Sequence, residues 1–116
     1  SCHTLRKHDK LLKRAEFIRL SKYGKKVHNR YFVVVSEPNQ QGRPRIGITV
    51  TKKIGNAVVR NRIKRLVRES FRSNRHVIVE NRDINVIAKK SAAFASGSQA
   101  LATLKTLFSK MEGAPD

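Results

Sequence analysis

Carboxylates are scarce in this chain: eight Asp and Glu stand against twenty-six Lys and Arg in 116 residues, a formal charge of +18. The few acids, among them Asp9, Glu16, Glu37, Glu69, Glu80 and Asp83, are scattered. A nuclease working through its own metal ions needs convergent carboxylates, so independent catalysis is disfavoured. Cysteine is limited to Cys2, which excludes an intramolecular disulfide and fits a reducing cytoplasm. The histidines at 3, 8, 28 and 76 show no metal-ligand spacing, and no metal position on the chain can be assigned. No apolar run approaches the ~20 residues of a spanning helix. Ser1 to Lys13 is basic with no apolar stretch after it, which speaks against a secretory signal. Neither a membrane nor a small-molecule substrate is expected as a partner.

What is present is positive charge on a chain short enough for one domain, and a polyanion is its natural partner. The hydrophobic fraction of 39% is enough for one modest core. A single domain over 1–116 is expected, with 1–10 and 112–116 loose. From Lys10 to Tyr23, Leu11, Leu12, Ala15, Phe17, Ile18 and Leu20 predict an amphipathic helix ended by Gly24 as its C′ residue. Tyr31 to Val35 is aromatic and β-branched, hence a strand, and Lys26 to His28 fits a further short one. Pro38 to Gly42 is a turn cluster. Arg45 to Thr51 alternates, with Ile46, Ile48 and Val50 facing a core and Gly47, Thr49 and Thr51 an accessible side.

Ile84 to Ala88 reads as an apolar strand, and Ala92 to Lys110 as a closing helix carrying Leu101, Leu104, Leu107 and Phe108. Val77-Ile78-Val79 fits either a strand start or a helix tail. The sum is an α+β domain with one sheet, whose strand–helix–strand crossover should by the general rule be right-handed.

The helix within that crossover holds the chemistry. Asn56 is placed to cap it. On a helical wheel Val59, Ile63, Leu66, Val67, Ser70 and Phe71 share an arc of about 140°. Arg60, Asn61, Lys64, Arg65, Arg68 and Arg72 occupy the rest, with Arg62 on the opposite margin. Between Lys52 and Arg68 there are seven Lys or Arg and no acid. Like charges at i,i+4, such as Arg60–Lys64–Arg68, each cost a free helix a few tenths of a kcal/mol; Glu69, four residues after Arg65, is the only relief. A solvated surface helix would mix signs. Arginine forks match phosphate oxygens, and Asn61 suits a base edge or a 2′-hydroxyl. Six engaged phosphates would give a log–log salt slope of around −5.

Arg60-Asn61-Arg62, then Ile63-Lys64-Arg65 and Arg68, following Lys52-Lys53-Ile54-Gly55-Asn56, closely resembles the signature of the bacterial ribonuclease P protein family. Arg45 to Val50, Asn29-Arg30 and Ala88-Lys89-Lys90 match as well, and the resemblance runs from about Leu11 to Lys110. It implies a small mixed sheet in αβββαβα order with a left-handed βαβ crossover, shared with a ribosomal-protein domain. It also implies a holoenzyme in which an RNA subunit, with Mg2+ bound mainly by that RNA, removes the 5′ leader of precursor tRNA in the cytoplasm.

Carried over position by position, Lys52, Arg60, Asn61, Arg62, Lys64, Arg65 and Arg68 would contact the catalytic RNA. Phe17, Val33, Val35, Thr49, Thr51 and Lys53 would line a cleft for the single-stranded leader, on the sheet's open face beside the first helix. Phe17 fits a core role equally well, and Val33 and Val35 could line a covered face. The chain departs from the family pattern at Ser21, where a second Phe is common, and at Val35, where some members carry an aromatic. The rival reading is a structural RNA-binding protein of the ribosomal type.

Overall fold

The computed structural model describes residues 10, 13–40, 42–78 and 81–113, the last two without their side chains. Four strands and three helices follow in the expected order. They are α1 (Arg14–Tyr23), β1 (Lys25–His28), β2 (Phe32–Pro38), β3 (Arg45–Thr49), α2 (Ala57–Ser73), β4 (Arg82–Ala88) and α3 (Gly97–Gly113). Short 3₁₀ turns at Lys52–Ile54 and Lys90–Phe94 precede α2 and α3. The strands form one sheet in the order β1-β2-β4-β3. β4 pairs antiparallel with β2 and parallel with β3, so α2 is the crossover between two adjacent parallel strands and β3 lies at an edge.

Strand alternation divides the residues between two faces. Phe32 and Val34 of β2, Ile46 of β3, and Ile84, Val86 and Ala88 of β4 join the main core. Ile63, Val67 and Phe71 of α2 and Leu104, Leu107 and Phe108 of α3 cover them, with Phe71 and Phe108 edge to face at 6.5 Å. The other face carries a smaller cluster under α1, with Leu20 on Val35 and Phe17, Val33 and Ile87 around them.

Several boundaries differ from the sequence expectation. The short strand before Asn29 is real. Lys10, expected in a loose end, forms a parallel bridge with Ile46. Leu11, Leu12, Val79, residues 1–9 and residues 114–116 lie outside the described residues. Val77 sits in a turn, and Ile78 just after it is buried. The closing helix starts at Gly97 rather than Ala92, because Ser96 caps it: the Gln99 N–H donates to Ser96 Oγ at 3.1 Å, and the Ser96 N–H donates to Gln99 Oε1 at 2.9 Å. This is a capping box.

Asn29 and Lys89, quoted above in the two short family matches, serve the fold. Asn29 Oδ1 accepts from the Tyr31 and Phe32 N–H groups, and its Nδ2 donates to the Thr103 carbonyl. Lys89 Nζ donates to the Asn29 carbonyl at 2.6 Å. Together they lock the β1–β2 turn to the end of β4 and to α3.

Gly24 also departs from expectation. It ends α1 in extended conformation, φ −73° and ψ 151°, not as a left-handed C′ residue. What requires glycine is contact: a Cβ there would lie 2.5 Å from Val35 Cγ1 and 2.6 Å from the Leu20 carbonyl oxygen. The backbone conformation suits alanine, so a purely conformational view predicts stabilisation of ~0.4–1 kcal/mol for Gly24→Ala. Overpacking predicts instead a loss of about 1–3 kcal/mol in urea unfolding. An unchanged or raised midpoint would refute the contact.

Candidate nucleic-acid interface

α2 begins where Asn56 Oδ1 accepts the Val59 N–H at 3.0 Å. Its apolar arc packs as the wheel requires: Ile63, Val67, Ser70 and Phe71 are buried, and Val59 and Leu66 are partly so. Ser70 is tolerated in the core because Asn74 Nδ2 donates to its carbonyl at 2.8 Å, with Oγ at 3.3 Å. Burying each large apolar side chain contributes roughly 1.5–3 kcal/mol. Each like-charge pair on the outer face costs only a few tenths. Packing therefore wins, and the helix can hold its cations together without neutralising them.

Among the described residues no carboxylate forms an ion pair with Lys52, Arg60, Arg62, Lys64, Arg65 or Arg68. The expected relief from Glu69 is not realised as an ion pair with Arg65 either. Asn61 and Arg65 are exposed, and Arg60, Lys64 and Arg68 are half-buried along their stems. Arg60 Nε donates to the Gly55 carbonyl at 3.1 Å, which presents its fork over the start of the helix. Arg62 Nη2 donates to the Ala95 carbonyl at 2.9 Å. Arg62 therefore also fastens the turn before α3 to α2.

A groove of about 490 Å³ runs along the edge strand β3, lined by Arg14 and Phe17 of α1, Ile48, Thr49 and Val50, and Lys64 of α2. It brings together two residues expected in a leader cleft, Phe17 and Thr49, with one expected on the catalytic-RNA surface, Lys64. The residues expected on the two surfaces thus meet at Lys64. Arg14, Ile48 and Val50 were not anticipated. Nor was Asn85, whose Oδ1 accepts the Thr49 hydroxyl at 3.2 Å. Its signal was a lone amide inside an apolar strand, opposite in phase to Ile84 and Val86.

Val35 is a correction. It is 2% exposed, covered by Leu20 of α1 and against Gly24, so it cannot line an open cleft. Val33 is half-buried beside Phe17 in the same small cluster. Thr51 and Lys53 are exposed beyond the end of β3, outside the groove lining.

A charge network holds α1 where it makes the groove. Arg45 meets Asp83 with two bonds of 2.9 Å and Glu16 of α1 at 2.8 Å. Asn39 Nδ2 donates to Asp83 Oδ1 at 2.7 Å. Glu16 Oε1 also accepts the Lys13 N–H at 3.1 Å, capping α1. The bonds to Asp83 raise the Arg45 pKa above its ordinary value, outweighing the lowering by partial desolvation, so Arg45 keeps its charge. Arg19 adds a 2.7 Å pair with Glu37 at the end of β2.

An α+β domain whose cationic helix has no carboxylate partner among the described residues, beside a groove of mixed aromatic and polar lining, is, by class, an RNA-binding protein. The Ribonuclease P family model matches residues 5–112. The chain is 46% identical to the ribonuclease P protein component of Desulforapulum autotrophicum, over 90% of each chain. It is 49% identical to that of Desulfosudis oleivorans, over 92% of this chain and 88% of the relative. The ribonuclease P protein structure from Staphylococcus aureus superposes with a TM-score of 0.83 at 38% identity, covering 93% of this chain and 98% of that one. The Thermotoga maritima protein gives 0.82 at 37%, covering 90% and 98%. The chain belongs to the ribonuclease P protein family, the protein component of a tRNA-processing endoribonuclease.

Arg45→Ala would remove the cation that Asp83 and Glu16 share. Unfolding in urea should show a loss of about 2–4 kcal/mol, since breaking a largely buried pair leaves a charge uncompensated. A loss below about 1 kcal/mol, the value of an exposed pair, would mean the clamp does not position α1.

Proposed function

We propose that this chain binds the catalytic RNA of ribonuclease P through the outer face of α2 and guides the 5′ leader of precursor tRNA along the β3 groove. The observation that carries this reading is the row Arg60, Asn61, Lys64, Arg65 and Arg68, held together by apolar packing on the far side of the helix and left without carboxylate partners among the described residues. Arg62 and Lys52 extend the surface toward the turns at the end of the sheet. Phosphates would supply the missing counter-charge, and Asn61 a contact to a base edge or 2′-hydroxyl.

For the leader, Phe17 offers a ring for stacking and Thr49 a polar contact, while Lys64 and Arg14 attract the phosphates between them. Thr51 and Lys53 continue that path past the end of β3, and Val33 supports Phe17 from beneath. Base stacking contributes ~1–3 kcal/mol per base. With Ser21 in place of a second ring, and Val35 buried, Phe17 carries the stacking alone.

Among the described residues no three His, Cys, Asp or Glu side chains converge to hold a metal. We place the Mg2+ that serves phosphodiester hydrolysis mainly on the RNA subunit, as the family resemblance implies. No described helix is long and apolar enough to cross a membrane, and we place the holoenzyme in the cytoplasm.

Reconstitution with a bacterial ribonuclease P RNA at low magnesium tests the reading. The wild-type protein should stimulate 5′ maturation. Arg60→Ala/Arg65→Ala should lose most of that stimulation and flatten the log–log salt slope of RNA binding by roughly 1.4–1.8, about 0.7–0.9 for each phosphate contact. Unchanged affinity and slope would show that the RNA docks elsewhere.

A further inference from the structure

Phe94 is the most exposed large apolar residue among those described, with 88% of its surface in solvent. Loose packing is not the reason. It ends the 3₁₀ turn Lys90–Phe94, and its near neighbours Ala92 and Ala95 are both core residues. Ser91 Oγ donates to the Arg30 carbonyl at 2.6 Å, and Arg62 donates to the Ala95 carbonyl at 2.9 Å. The backbone on either side is fixed, so the ring is held outward on a rigid support.

The surroundings are cationic. Lys90 in the same turn is exposed, as are Lys52 and Lys53 in the turn packed against it. The described carboxylates are elsewhere. Glu37 and Asp83 are register partners at the far end of the strands, where Glu16 joins them through Arg45. Glu69 lies well along α2, toward its C-terminal end.

We propose that Phe94 is a stacking platform for an unpaired nucleobase of the catalytic RNA. An aromatic ring among lysines and arginines is the combination that binds single-stranded segments, the ring taking a base and the cations the flanking phosphates. The catalytic RNA is favoured over the leader because the Phe94 turn is bonded to Arg62 of the cationic helix. The Phe17 groove instead opens along β3 between α1 and Lys64. This inference rests on the proposed RNA-binding role of α2 and adds to it a contact that no basic residue supplies.

The chain has no tryptophan, so Phe94→Trp places a single reporter ring at the platform. Its emission should be quenched saturably by the catalytic RNA and not by a short single-stranded leader RNA. Phe94→Ala should leave the melting temperature unchanged, since an exposed ring leaves no cavity. It should weaken catalytic-RNA binding about 5- to 100-fold at fixed salt, without altering the salt slope, because stacking releases no counterions. Phe94→Trp should bind like the wild type.

Binding by Phe94→Ala within twofold of wild type would overturn the proposal while leaving the α2 reading intact, provided the Arg60→Ala/Arg65→Ala variant is weakened in the same assay. Equal binding by all three proteins would instead overturn the α2 reading. Quenching by the leader RNA, or a wild-type dimer dissolved by Phe94→Ala in sedimentation, would reassign the ring and likewise overturn the proposal.

Discussion

One helix has to satisfy two environments at once, and the rest of the structure follows from how it does so. The inner arc of α2 fills the core with Ile63, Val67 and Phe71, while its outer arc gathers charges that repel one another. The energies are unequal: several large side chains at roughly 1.5–3 kcal/mol each outweigh repulsions of a few tenths. The cations are therefore held close by the hydrophobic core behind them. Seated as the crossover between β3 and β4, the helix also sets Lys64 above the edge of the sheet.

The scarce acids are used for position. Glu16 and Asp83 converge on Arg45, and Glu37 pairs with Arg19, so both contacts fix α1 against the start of β3 and the end of β2. Spending carboxylates there leaves the opposite end of the strands, with Lys52, Lys53 and Lys90, strongly positive. The geometry of the groove and the polarity of the surface thus have one cause. In the proposed role, a groove that ends on the cationic helix would let a substrate strand and a second RNA approach each other on one small protein, and this is why Phe17, Thr49 and Lys64 sharing a lining matters.

Elements governed by local periodicity were legible in the sequence. The wheel of α2 separated its faces correctly, and alternation in β3 put Ile46 in the core and Thr49 at the groove, though Gly47, expected on the accessible side with Thr49, is buried. Asn56 capped where a short polar side chain should. Features set by contacts between distant segments were not legible. Val35, placed in the cleft by the family resemblance, is buried because Leu20 and Gly24 close over it. Gly24 looked like a helix terminator, and a neighbouring strand is what forbids its side chain. The end roles of Asn29 and Lys89 depend on chain segments some sixty residues apart. The start of α3 was legible and missed: Ser96 and Gln99 have capping-box spacing, but the alanines before them extended the helical pattern.

Stability measured against salt, with and without RNA, bears most directly on the claim that packing confines charge which only a polyanion neutralises. Added salt screens repulsion in the free protein and weakens phosphate contacts in the complex. The melting temperature of the free chain should therefore rise between low and moderate NaCl, while that of the chain bound to catalytic RNA should fall over the same range. A free protein indifferent to salt, or a complex whose melting rises with it, would contradict the claim.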